Sequence, residues 1–157
     1  MKNNLKTYAK KLGEAKKGSY IHGMNKEKVQ QIINDVYPKI VNHYGVQKGY
    51  IIPKVEVHNS IFDRLALIPV SNDGIMKMQG VDYPSGEFCK ETDKIFIYFP
   101  EIKDKVDLIK ALLHEYRHYL QPRYGYEFFN DMGFDYINHP YELEAIAEES
   151  NWKTYAE

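Results

Sequence analysis

Residues 107–121 read DLIKALLHEYRHYLQ, a stretch without glycine or proline in which helix-favouring side chains predominate. Within it, residues 114–118 form an H-E-x-x-H motif. Residues four apart lie one above the other on an α-helix, so His114 and His118 are expected to project from the same face. Two imidazoles in this arrangement can bind one Zn²⁺, and Glu115 lies beside them to accept a proton from a metal-activated water. The stretch therefore predicts a helix that carries a metal site, and the alternative is an unliganded pair of partly buried histidines.

A catalytic zinc site normally has three protein ligands, so the motif needs one more. The extended H-E-x-x-H-x-x-G-x-x-H signature is absent from the chain. A helix predicted from about residue 138 to Trp152 instead offers four carboxylates: Glu142, Glu144, Glu148 and Glu149. At about 100° per residue, Glu142 and Glu144 flank the apolar stripe of this helix on opposite edges. Periodicity leaves the two as equal candidates, and a solvated acidic face is the alternative for most of the four.

The rest of the chain predicts an α+β fold: a small, mostly antiparallel sheet packed on the motif helix and on a C-terminal helix. Asn25 is placed to cap a helix that runs to about Tyr44, with Pro38 as a site for a kink or an early end. Residues 123–137 are predicted as a loop. Strands are predicted at the apolar or alternating stretches 50–58, 65–70, 75–79 and 94–99.

The strand at 94–99 directly precedes the motif helix. We expect it to present a free edge to which an extended peptide adds as a further strand. The alternative is that it is an internal member of the sheet.

Composition predicts one domain at residues 24–157, preceded by a basic N-terminal segment at residues 1–23. The single cysteine, Cys89, excludes an internal disulfide framework and fits a reducing compartment. The N-terminus lacks the apolar core of a signal peptide, and no apolar run reaches the length of a membrane span. These features predict a cytoplasmic protein that has no membrane partner.

Charge is distributed unevenly along the chain. Residues 1–54 hold 11 lysines and three acidic residues, a balance of +8, whereas the remainder holds ten basic and 19 acidic residues, a balance of −9. The basic part could contact nucleic acid or an acidic partner. No basic–aromatic array or known nucleic-acid module accompanies it, so nucleic acid is not the expected partner, and a solvated tail that keeps the chain soluble is the favoured interpretation. The oligomeric state stays open.

The motif and the later residues 140–145, PYELEA, resemble the gluzincin arrangement of two helical histidines followed by a glutamate on a later helix. The nearest likeness is to small bacterial and phage metallopeptidases, including the repressor-cleaving type of mobile elements, and it covers about residues 94–150. In gluzincins the ligand glutamate commonly stands three residues before a small residue, as Glu142 stands before Ala145. The resemblance thus implies Glu142 as the third ligand and Glu144 as the reserve.

The resemblance also implies a minimal zincin-like domain that binds one Zn²⁺ per chain and hydrolyses peptide bonds, so that the partner it implies is a peptide or protein substrate. Thermolysin-like enzymes place an acid directly after the small residue to orient a ligand histidine. Here that position is Ile146, so a different acid would be needed, and the candidates are Glu148, Glu149 and Asp107.

Three further side chains are candidates for supporting roles. Tyr126 and Tyr136 could donate a hydrogen bond to a tetrahedral intermediate. His139 could do the same or bind metal, and its alternatives are a helix cap or a surface position. The alternative function for the whole chain is a zinc-binding regulatory or protein-binding module of phage or mobile-element type, without appreciable turnover.

Overall fold

A computed structural model of the chain describes residues 24–59 and 84–157. The basic segment 1–23 and the predicted strands 65–70 and 75–79 fall outside these ranges. The described residues form an α+β fold, in which helices pack against a three-stranded mixed sheet.

Helix α1, Lys26–Tyr44, begins and ends where the sequence predicts. The Asn25 side chain accepts a hydrogen bond from the backbone N–H of Lys28 at 2.8 Å, and the helix ends at Gly45, which has a φ of 76°. Pro38 does not end it, because the one helical hydrogen bond that proline removes would use the carbonyl of the exposed Asn34. At 19 residues, α1 still falls short of the apolar character needed to cross a membrane, as does every other described helix.

The sheet consists of β1, Lys54–His58, β2, Gly86–Cys89, and β3, Lys94–Tyr98, in the order β1-β3-β2. β1 pairs with β3 in parallel and β2 pairs with β3 antiparallel. The prediction of a mostly antiparallel sheet is therefore wrong for the described strands. A parallel pair needs a connection of a dozen or more residues, and the long stretch between β1 and β3 provides it.

β3 is the central strand of this sheet, so the prediction that it presents a free edge is also wrong. Four of its five residues are buried. A strand covered on both faces has no need of polar alternation, which explains the continuous apolar run IFIY.

Helix α2, Lys105–Leu120, carries the motif. Asp104 caps it by accepting a hydrogen bond from the backbone N–H of Asp107 at 2.8 Å. The core lies between α1, the sheet and this helix. Its fully or almost fully buried members on α2 are Leu108, Ile109, Leu112, Leu113, Tyr116 and Tyr119.

The predicted loop at 123–137 contains a short helix, α3, Gly125–Asp131. Its composition gives little helical preference, and the helix is supported by aromatic packing that no local pattern reveals. Tyr126 stacks on His139 and Phe129 packs edge-on against Tyr141. The last predicted helix is divided in two: α4, Pro140–Glu148, and a 3-10 helix, Glu149–Tyr155.

Candidate metal centre

Helix α2 presents the two motif histidines to one cavity. His114 and His118 lie one turn apart with their ring centroids 4.8 Å from each other, and their Nε2 atoms are separated by 3.1 Å. Both side chains are mostly buried, with 14% of each exposed. The helical spacing therefore brings two nitrogen donors to one point, as the sequence predicts.

Glu142 of α4 meets the two rings from the opposite side. Its Oε2 lies 3.3 Å from Nε2 of His114, and its Oε1 lies 3.4 Å from Nε2 of His118. One donor atom from each of the three residues lies within 4.8 Å of the other two. Glu142 is only 4% exposed, so this carboxylate is removed from bulk water.

The outer ring nitrogen of each histidine is held by an oxygen acceptor. Nδ1 of His114 lies 2.8 Å from Oε1 of Glu149, and Nδ1 of His118 lies 2.8 Å from Oε1 of Gln121. An oxygen acceptor at Nδ1 favours the tautomer that leaves the Nε2 lone pair free for a metal. Of the three acids considered for orienting a ligand histidine, Glu149 occupies the position, and Gln121 was not anticipated. The sequence feature that could have identified Gln121 as a partner of His118 is its position three residues later, where the helix ends.

The histidines and carboxylates of the group shift one another's pKa values. Burial opposes a charged imidazole, yet hydrogen bonds to Glu142 and Glu149 raise the pKa of His114 to about 10. Burial likewise opposes a charged carboxylate, yet the adjacent imidazoles of His114 and His118 hold the pKa of Glu142 well below its usual range. The anionic carboxylate thus favours positive charge beside it, and a metal ion that binds here must replace the proton that it favours on the imidazoles.

One oxygen of the group lacks a well-formed hydrogen bond to the described residues. Oε2 of Glu142 is buried and makes no hydrogen bond of good geometry to any described residue. A buried carboxylate oxygen without a donor is costly unless a cation lies beside it. Two imidazole nitrogens and one such oxygen form a donor set that suits a divalent metal ion. The residues present therefore fit a metal ion.

Glu115 lies in the same cavity but is held separately from the donor group. It is 7% exposed, and its Oε2 accepts a hydrogen bond from the backbone N–H of Phe88 on β2 at 2.8 Å. Burial raises the pKa of Glu115, an effect that the charges of His114 and His118 oppose. Gly86 permits this approach, because a Cβ at that position would lie 3.1 Å from Cγ of Glu115.

Glu144, the reserve candidate for the third ligand, turns away from the group. It pairs with Arg117, and its Oε2 accepts a hydrogen bond from Nε2 of Gln121 at 2.7 Å. These two partners hold it on the flank of α2, outside the cluster of donor atoms.

The remaining candidates occupy different positions. Tyr136 is 67% exposed and lines the cavity, with its hydroxyl near enough to the acids that its pKa is raised to about 12 by burial and by Glu142. Tyr126 donates a hydrogen bond to Oε1 of Glu142 at 2.8 Å. His139 is completely buried and caps α4, with Nδ1 accepting from the backbone N–H of Tyr141 at 3.1 Å. Capping, which the sequence offers as one alternative for His139, is what the structure shows.

The cavity has a volume of about 470 Å³ and runs along β2. All four residues of β2 line it, and the acids and rings of the candidate site form its floor. Its other walls come from the residues that follow α2, from α3, from the connection between α3 and α4, and from α4, and they include Gln121, Pro122, Arg123, Tyr126, Tyr136 and Tyr141.

Comparison of the chain with known proteins finds no matching family model, no matching curated protein and no matching solved structure. The family expectations therefore depend on the motif residues and on the geometry of this site.

Proposed function

We propose that the protein is a zinc-dependent peptidase of zincin-like architecture with a gluzincin-type ligand set. The observation that carries the proposal is the meeting of His114, His118 and Glu142 in one cavity that also contains the buried Glu115. Two histidines and a carboxylate are a common ligand set of catalytic zinc. Three protein ligands leave the fourth coordination position open for water or substrate. When bound, zinc would lower the pKa of a water molecule and polarise the scissile carbonyl.

Glu115 supplies the proton transfer in this proposal. Its raised pKa, which burial causes, brings the carboxyl nearer to the range in which a general base works at neutral pH. The Phe88 N–H holds Oε2, which leaves Oε1 to accept a proton from water and return it to the leaving amine. Tyr136, at the exposed rim of the cavity, is positioned to donate a hydrogen bond to a developing oxyanion.

A peptide is the favoured substrate because a strand borders the site. β2 pairs with β3 on one side, and no strand of the described ranges pairs with its other side. An extended peptide can add to such an edge and place its backbone beside Glu115. The edge role predicted for 94–99 is thus proposed for β2, Gly86–Cys89, instead.

The experiment that separates an enzyme from a binding module is Glu115→Gln. This change keeps size and hydrogen bonding but removes the base. We expect zinc content and folding to persist, while hydrolysis of a random peptide library, followed by mass spectrometry, falls by about 10²–10⁴-fold. The matched control is Glu27→Gln, which alters an exposed glutamate in the first turn of α1 and should cleave at the wild-type rate.

Cleavage by Glu115→Gln at the wild-type rate would refute this role for Glu115. If zinc-loaded wild type cleaves nothing in the library, the alternative of a regulatory or protein-binding zinc module is favoured instead.

A further inference from the structure

The two oxygens of Glu142 have different surroundings. Oε1 accepts the hydrogen bond from the Tyr126 hydroxyl at 2.8 Å, whereas Oε2 is buried, lies 3.3 Å from Nε2 of His114 and makes no hydrogen bond of good geometry to a described residue. A carboxylate beside two imidazoles can offer a metal either one oxygen or both. Here one oxygen is already engaged by the protein.

We infer that Tyr126 is a positioning residue of the metal centre: its hydroxyl retains Oε1 of Glu142 and leaves Oε2 as the one oxygen offered to a metal. This inference rests on the proposed metal site. It assigns to α3 a task that neither the motif nor the ligand set specifies.

Tyr126 is itself held in place by His139. The two rings stack with centroids 3.8 Å apart and planes 19° from parallel. Nδ1 of His139 accepts from the backbone N–H of Tyr141, so the ring proton lies on Nε2. That nitrogen donates to the backbone carbonyl of Tyr126 at 3.1 Å. His139 therefore fixes both the ring and the main chain of the tyrosine.

The contacts of His139 and Tyr126 connect the start of α4 to Glu142, the candidate metal ligand on the same helix. His139 caps the helix three residues before Glu142, and Tyr126 reaches back from α3 to the carboxylate. The His139 ring is held in place, because it is completely buried and both of its nitrogens are hydrogen-bonded. Partners of this kind, which orient a ligand without touching the metal, typically change metal affinity about 10–100-fold when they are removed.

The direct test is Tyr126→Phe, which removes one hydroxyl and keeps the ring that stacks on His139. We expect the dissociation constant for Zn²⁺, measured by competition with a chromophoric chelator, to rise about 10–100-fold. The matched control is Tyr124→Phe, the same chemical change two residues away on a side chain that is 84% exposed. The control should bind Zn²⁺ within about twofold of wild type.

A second variant tests the part played by His139. His139→Asn keeps a side-chain acceptor suited to the helix cap but loses the stacked ring and the donor to Tyr126. We expect it to weaken Zn²⁺ binding as well. The double variant should bind no more weakly than Tyr126→Phe alone, because His139 acts through the tyrosine hydroxyl.

Coordination distinguishes positioning from general support of the fold. X-ray absorption at the zinc edge should show one carboxylate oxygen at bonding distance in wild type and an additional oxygen in Tyr126→Phe, where Oε1 is released. Unchanged affinity and an unchanged spectrum in both single variants would overturn the inference, as would lower stability with unchanged affinity. Wild type that binds no Zn²⁺ would instead refute the proposed metal site itself.

Discussion

Glu142, and not Glu144, lies beside the two histidines because the two carboxylates contact different side chains on and just after α2. The helix carries His114 and His118 on one face, and Arg117 lies on the neighbouring face. Arg117 pairs with Glu144 and Gln121 donates to it, while Glu142 enters the cavity between the rings. The two acids flank the same apolar stripe of α4, so their different partners on α2 separate their roles.

The first residue-scale prediction compares these two acids. Glu142→Ala removes one of three proposed donors and should weaken Zn²⁺ binding by more than about 100-fold, beyond the effect of losing an outer partner. Glu144→Ala keeps all three donors and should bind Zn²⁺ within a few-fold of wild type. Isothermal titration with Zn²⁺ measures both. The reverse order would show that Glu144 is the ligand, and small effects from both would exclude a carboxylate from the donor set.

At the scale of elements, α3 forms the wall of the cavity that sequence reasoning did not anticipate. The helix is short, lacks a side-chain cap and has no buried residue of its own, so its position depends on contacts with α4. Gly125 marks the closest approach, because a Cβ there would lie 1.9 Å from Oη of Tyr141 and 2.5 Å from Cζ. A larger residue at that position would require the Tyr141 ring to move.

The element-scale prediction follows from this close approach. Gly125→Ala should lower the free energy of unfolding by about 1–3 kcal/mol, because the added methyl overlaps the Tyr141 ring. In a Tyr141→Ala background the same substitution should be neutral or stabilising. The overlap is then absent, and alanine has a higher helix propensity than glycine. Urea denaturation of the four proteins measures the difference. Equal effects in both backgrounds would show that α3 and α4 are not packed this closely.

At the scale of the whole molecule, the candidate site connects parts of the chain that are distant in sequence. The donors come from α2 and α4, and the partner of His114 Nδ1 comes from the terminal 3-10 helix. β2 supplies the hydrogen bond to Glu115. A metal bound at this point would hold the C-terminal elements against the core.

We therefore expect Zn²⁺ to stabilise the fold. A ligand that binds only the folded state at 100 times its dissociation constant adds about 2.7 kcal/mol. For a chain of this size, that energy corresponds to a rise in Tm of about 5–10 °C, which a chelator should abolish. His118→Ala should melt at the same temperature with and without chelator. Identical melting of wild type in the two conditions would argue against a structural contribution from metal.

Local patterns predict a large part of this structure. The cap at Asn25, the extent of α1 and the shared face of His114 and His118 all depend on residues within four positions of one another. Backbone geometry and short-range hydrogen bonds decide such features, so the printed sequence is sufficient for them. The α+β class follows from the same patterns.

Contacts between distant residues decide the rest. The central place of β3 and its parallel pairing with β1 depend on which strands meet across the sheet. The helical state of α3 depends on aromatic rings of α4, and the selection of Glu142 depends on Arg117 and Gln121 at the end of α2. Helical periodicity left Glu142 and Glu144 as equal candidates for the third metal ligand, because the sequence of a single helix carries no information about the surface against which it packs.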